Sequence, residues 1–162
     1  MKYHQRLIEA KLRSYAEAFA CTLVAGARQV GKSTTLNELF GERYWSFVFD
    51  PVQDIFGVKE DPDLFLRNNP PPLILDEIQY VPELIPALKR FIDQHRRPGM
   101  YLITGSQQWH VMRHLAESLA GRVAMLDLPG FSLQERADIQ GPTWLSRWLE
   151  GASQGTEEGL QA

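Results

Sequence analysis

The chain has 162 residues, 44% hydrophobic and 23% charged, enough for one domain with a sizeable core but not comfortably for two. Its 17 Lys and Arg against 20 Asp and Glu give a formal net charge of −3, so no global field draws it to nucleic acid or anionic membrane. One cysteine excludes an intrachain disulfide framework, and no run reaches the ~18 apolar residues of a membrane span, so a soluble, cytoplasmic protein is expected.

In chain order, Leu7, Ile8, Leu12, Tyr15 and Ala16 recur at helical spacing and predict an amphipathic helix over about residues 5–18. The charged start, Met1 to Arg6, does not read as an apolar signal core. Phe19 to Ala25 is a short apolar run closed by Gly26 and predicts a buried strand. Cys21 lies inside it with no nearby base to activate a thiol, so it reads as a packing residue rather than a nucleophile. Helical spacing resumes after Lys32 with Leu36, Leu39 and Phe40.

Tyr44 to Phe49 predicts a second strand, followed by a looser polar segment as far as Asn68–Pro72, whose three prolines set an extended approach. Leu73–Leu75 is the third strand, and Leu84, Ile85, Leu88, Phe91 and Ile92 mark a helix face with Pro86 tolerable in its first turn. Met100–Ile103 is the fourth strand, closed by Thr104-Gly105-Ser106. A helix carrying Val111, Met112, Leu115 and Leu119 precedes the fifth strand, Val123–Leu126. Continuous apolar strands joined by helices predict a mostly parallel five-stranded sheet covered on both faces, a three-layer α/β/α sandwich. Residues 1–138 are expected to form this domain, 139–150 a short amphipathic helix, and 151–162, which lack large apolar residues until the end, a disordered tail.

Gly26-Ala27-Arg28-Gln29-Val30-Gly31-Lys32-Ser33 fits G-x-x-x-x-G-K-[ST] at every fixed position, with Thr34 next. Glycines let the backbone turn round an anion with several N–H groups inward, and the following helix aims its positive end at the same spot. Lys32 can reach the β- and γ-phosphates of ATP, and Ser33 offers a hydroxyl to Mg2+. The strand–loop–helix setting is the one the motif requires.

Asp76 and Glu77 follow directly on the third strand. Asp76 can order the hydrated magnesium and Glu77 can align and polarise an attacking water, which favours hydrolysis over phosphotransfer. The plain alternative is an acidic helix start. If the fourth strand lies between the phosphate-loop and acid strands, Ser106 or Thr104 faces the γ-phosphate and can sense it; a helix N-cap is the compatible alternative. Arg122 is a candidate arginine finger acting across a subunit boundary, against a solvated or ion-paired arginine, and Arg28 is a further candidate cation.

GARQVGKST, DPV, LILDEIQYVPEL, LITGSQ and ESLAGRV together resemble a family of prokaryotic AAA-type ATPases that usually carry a C-terminal domain of unknown function. The resemblance runs from about Arg6 to Glu135. It implies an ASCE-type P-loop sheet, with the acid strand beside neither edge and the polar-tipped strand between it and the loop strand. It also implies Mg-ATP as ligand, Asp76 and Glu77 as the Walker B pair, and Ser106 near the first sensor position. Family members are much longer, so a lid subdomain, its sensor arginine and the companion domain are expected to lie outside this sequence, with weak turnover the consequence.

Trp144, Leu145, Trp148 and Leu149 share one helical stripe, read either as core or as a docking face for a protein partner or a second copy. His110, His114 and Glu117 have zinc-compatible spacing but no further ligand in view, so a solvated face is preferred. Lys89, Arg90, His95, Arg96 and Arg97 form a small basic cluster that leaves a nucleic-acid contact open. The leading function is ATP hydrolysis; an ATP-gated protein- or DNA-binding module with negligible turnover is the alternative, and a small-molecule phosphotransferase is weakest, having no identifiable acceptor site.

Overall fold

The computed structural model describes residues 3–106, 117 and 119–137. Among them, five strands carry the apolar runs: β1 (Cys21–Gly26), β2 (Trp45–Val48), β3 (Leu73–Asp76), β4 (Tyr101–Ser106) and β5 (Val123–Asp127). They lie in the order β2-β3-β4-β1-β5, with every neighbouring pair parallel. β1, β3 and β4 are buried at every position, as strands covered on both faces must be. The edge strand β2 keeps Trp45 75% exposed.

Alternation along the strands divides the core into two layers. Leu23, Leu73, Leu75, Tyr101 and Ile103 point to one face, where they meet Phe65 and Leu66 of α3 (Pro62–Asn68) and Leu84, Leu88 and Ile92 of α4 (Leu84–His95). Val24, Ile74, Leu102 and Leu126 point to the other, against Leu12 and Ala16 of α1 (Glu9–Ala18) and Leu36 and Phe40 of α2 (Lys32–Phe40). The sandwich of three layers is therefore present, built by the two-residue period of the strands.

Several expectations need correction. The first helix begins at Glu9 rather than near residue 5, because the Arg6 side chain is engaged elsewhere; its backbone meets the helix start, the N–H donating to Glu9 Oε1 at 2.7 Å and the carbonyl accepting from the Glu9 N–H at 3.1 Å. The segment read as loose and polar contains α3, started by Asp61, whose side chain accepts from Leu64 N–H at 2.8 Å, and by Pro62 in the first turn. The Pro71–Pro72 bond is cis, so that approach is not uniformly extended. The acid strand β3 is interior but stands beside the edge strand β2, since in a sheet of five only the middle strand, here β4, has no edge neighbour. Pro86 does fall in the first turn of α4.

The chain divides into two units, Arg6–Gly130 and Met1–Gln5 with Phe131–Ala162. The sheet and α1–α4 belong to the first. In the second, α5 (Leu133–Arg136) is started by a capping box in which Ser132 and Glu135 bond each other's backbone N–H, and His4 meets Phe131 edge-on. The tryptophan stripe at Trp144 and Trp148, the 139–150 helix, the tail and His110 with His114 lie outside the described residues.

Candidate phosphate-binding site

Three adjacent strands deliver their carboxyl ends to one edge of the sheet. Gly26, the last residue of β1, is level with Ser106, the last of β4. Leu75 of β3 is level with Ile103, so Asp76 comes level with Thr104. The glycine-rich loop, the acid pair and the polar strand tip thus leave the same edge of the same unit, where parallel α/β sheets hold their ligands.

The loop turns through Gln29 and Gly31, both at positive φ (63° and 94°), and enters α2 at Lys32. Gly31 is the N-cap of α2 and supplies no side chain to its first N–H groups, so those donors face the loop. Its φ alone requires glycine. Gly26 is required by packing instead: a Cβ there would sit 2.4 Å from the Leu128 carbonyl oxygen. Lys32 is buried, and its ammonium donates to the carbonyls of Gly26 at 3.2 Å and Ala27 at 2.9 Å. It therefore lies along the inner side of the loop, on carbonyls it can exchange for anionic oxygens. Ser33 is half-buried on the first turn of α2, while Ala27, Arg28, Gln29 and Thr34 are exposed.

Arg6 carries the loop from behind. It is 3% exposed, with Nη1 donating to the Val30 carbonyl at 2.8 Å and Nη2 to the Pro129 carbonyl at 2.7 Å. A guanidinium can bridge two carbonyls in one plane, and here it joins the phosphate loop to the exit of β5.

At the strand tips, Thr104 Oγ1 donates to Asp76 Oδ1 and accepts from the Glu77 N–H at 3.0 Å. Asp76 is buried at 5% exposure. Glu77 takes a left-handed backbone (φ 60°, ψ 43°) that turns the chain into a 3₁₀ turn, Ile78–Tyr80. Gln79 on that turn donates from Nε2 both to Glu77 Oε2 and to Ser106 Oγ, the latter at 3.1 Å. Tyr80 on the same turn accepts at its hydroxyl from Arg28 Nη2 at 2.8 Å, linking the acid segment to the phosphate loop. Of the two candidate sensors, Thr104 is committed to the acid pair. Ser106 accepts from Gln79, which leaves its own proton to be donated elsewhere.

The residues fit a phosphate ligand and a hydrated magnesium. Among the described residues no three His, Cys, Asp or Glu side chains converge as a metal cage. A hydroxyl at Ser33 and a carboxylate at Asp76 suit an ion that keeps most of its shell as water and phosphate oxygen.

Arg122 is not brought to this edge. Its carbonyl accepts from Cys21 N–H, which puts it at the opposite, amino end of the strands. There it pairs with Asp93 at 2.5 Å, and that contact holds the Asp93 carboxyl below its ordinary range. The basic cluster is also partly engaged: Arg90 pairs with Asp63 at 2.5 Å and Arg96 donates to the Asp93 carbonyl at 3.3 Å. Cys21 is fully buried and burial pushes its thiol up, which keeps it protonated and unreactive. No helix among the described residues is long and apolar enough to cross a membrane.

Sequence reasoning named the loop and the acids but missed Arg6 and Gln79. Gln79 had a weak signal, a polar residue two positions beyond the acid pair on an otherwise apolar turn. Arg6 had none, because its contacts with Val30 and Pro129 are to backbone carbonyls.

A profile of the family described as AAA domain matches residues 19–137. Two uncharacterized proteins, one of Mycobacterium bovis and one of Mycobacterium tuberculosis, are each 32% identical over 152 residues, which is 93% of this chain and 34% of theirs. The chain thus spans about a third of the length of the curated relatives it matches. Among solved structures, the DnaC helicase loader aligns at TM-score 0.51 and 19% identity, over 78% of this chain and 93% of that one. The Walker-type ATPase of Pyrococcus abyssi aligns at TM-score 0.54 and 15% identity, over 86% and 60% respectively. At these identities the likeness to the two structures is one of fold.

Proposed function

The chain belongs to the AAA domain family, and from that premise we propose that it binds ATP with magnesium and hydrolyses the ATP. The observation that carries this reading is the convergence of the Gly26–Ser33 loop, the Asp76–Glu77 pair and Ser106 on one edge of three adjacent parallel strands. In this reading the loop amides and the Lys32 ammonium take the phosphate oxygens. Ser33 and Asp76 supply the side-chain oxygens for magnesium. The chemistry supplied by an ion held there is neutralisation of charge on the β- and γ-phosphates. Glu77 aligns a water and takes its proton, and Ser106 donates to the γ-phosphate side.

Phosphate release by the parent and by Glu77→Gln tests the proposal. Measurable release is expected in the parent, with a loss of about 10²- to 10⁴-fold in the variant while ATP binding is retained. Release unchanged in Glu77→Gln would remove that residue from the mechanism. ATP binding without release in the parent would favour the second reading, an ATP-gated protein- or DNA-binding module with negligible turnover. What supports that second reading is the fold shared with a protein named as a helicase loader, DnaC.

A further inference from the structure

Gln79 is 7% exposed, and its side chain sits between two groups to which the proposed mechanism gives different work. One nitrogen, Nε2, serves both Glu77 Oε2 and Ser106 Oγ. The carboxamide oxygen accepts no hydrogen bond among the described residues. The carboxylate therefore sets which way the amide faces: turned over, the amide would press its oxygen against an anion. We infer that Gln79 is a positioning residue that ties the hydroxyl of Ser106 to the carboxylate of Glu77 and fixes the direction of both.

The consequences follow from counting donors and lone pairs. Glu77 has two carboxylate oxygens, and with Oε2 held by Gln79 the other remains to take a proton from water. Its main-chain N–H is pinned separately by Thr104, so backbone and carboxylate have independent tethers. Ser106 has a single proton, and with a lone pair on Gln79 that proton must point away from the amide. One side chain thus orients a donor toward the phosphate side and an acceptor toward the water. A buried amide does this with little freedom, because the 3₁₀ turn that carries it is anchored by Ile78 in the core and by the Tyr80–Arg28 contact. Movement of Ser106 is then felt at Glu77 without any direct contact between them.

This rests on the hydrolysis reading, and the test separates the two. Gln79→Met keeps the length of the side chain and removes both hydrogen bonds. In phosphate-release assays it should lower kcat by about 10- to 100-fold, as expected of a misaimed base, with KM for ATP within about twofold of the parent. Added to Glu77→Gln, it should cost less than about threefold more, because the base it aims is already lost. Unchanged kcat, a loss confined to KM, or losses that simply multiply in the double variant would each overturn the inference.

A second readout does not depend on turnover. The side-chain amide resonances of Gln79, identified by their disappearance in Gln79→Met, should shift in both Glu77→Ala and Ser106→Ala. Resonances that ignore either substitution refute the tether. If the parent releases no phosphate but both shifts appear, the tether stands and the hydrolysis reading falls.

Discussion

Arg6 shows what one side chain can do for a loop it never enters. Its two terminal nitrogens hold the carbonyls of Val30 and Pro129, and the residue is almost wholly buried. Removing it leaves both carbonyls without a charged donor and opens the space behind the phosphate loop. Arg6→Gln should therefore destabilise the fold by roughly 2–4 kcal/mol and weaken ATP binding, read by chemical denaturation and by titration calorimetry. Arg6→Lys should not restore it, since a single ammonium cannot span two carbonyls with the reach of a planar fork. Full rescue by lysine would show that charge alone matters at this position.

At the scale of elements, α3 is held by its first turn. Asp61 accepts from the Leu64 N–H and Pro62 occupies a position where no N–H is needed, while Phe65 and Leu66 enter the core. Asp61→Ala should cost about 1 kcal/mol, seen as a lower Tm with ATP binding retained. The same helix marks where the sequence was hard to read. Its seven residues hold too little periodicity to stand out from the polar surroundings, and only the Asp-Pro start announces it. The strands were legible because each central one is an unbroken apolar run, and the phosphate loop because its residues are fixed in both type and spacing. The strand order needed the resemblance, and its one error came from placing the acid strand clear of both edges. The contacts that organise the site were not legible: Arg6 meets backbone, Gln79 bridges two elements 27 positions apart in the chain, and neither leaves a periodic trace.

In the folded Arg6–Gly130 unit the two ends of the sheet do different work. The carboxyl edge gathers the loop, the acids and Ser106. The amino end is closed by ordinary surface contacts, among them Arg122 with Asp93. Because Arg122 lowers the Asp93 pKa, the pair stabilises the fold above the ordinary carboxylate pKa. That contribution is lost as the pH falls through the lowered folded value. The Tm difference between parent and Asp93→Asn should accordingly be largest near neutrality, shrink below about pH 4, and be reduced by salt. A difference that grows in acid would contradict the pairing.

Nucleotide binding by this chain depends on the loop that Lys32 lines. Titration calorimetry of ATP with magnesium into the parent and into Lys32→Ala, both checked for native Tm, addresses it most directly. The parent should bind one ATP per chain, and the variant should bind it at least about 100-fold more weakly, the weight of a lost charge-assisted contact to phosphate. Equal affinity in the two proteins would place the nucleotide, if it binds at all, somewhere other than this loop.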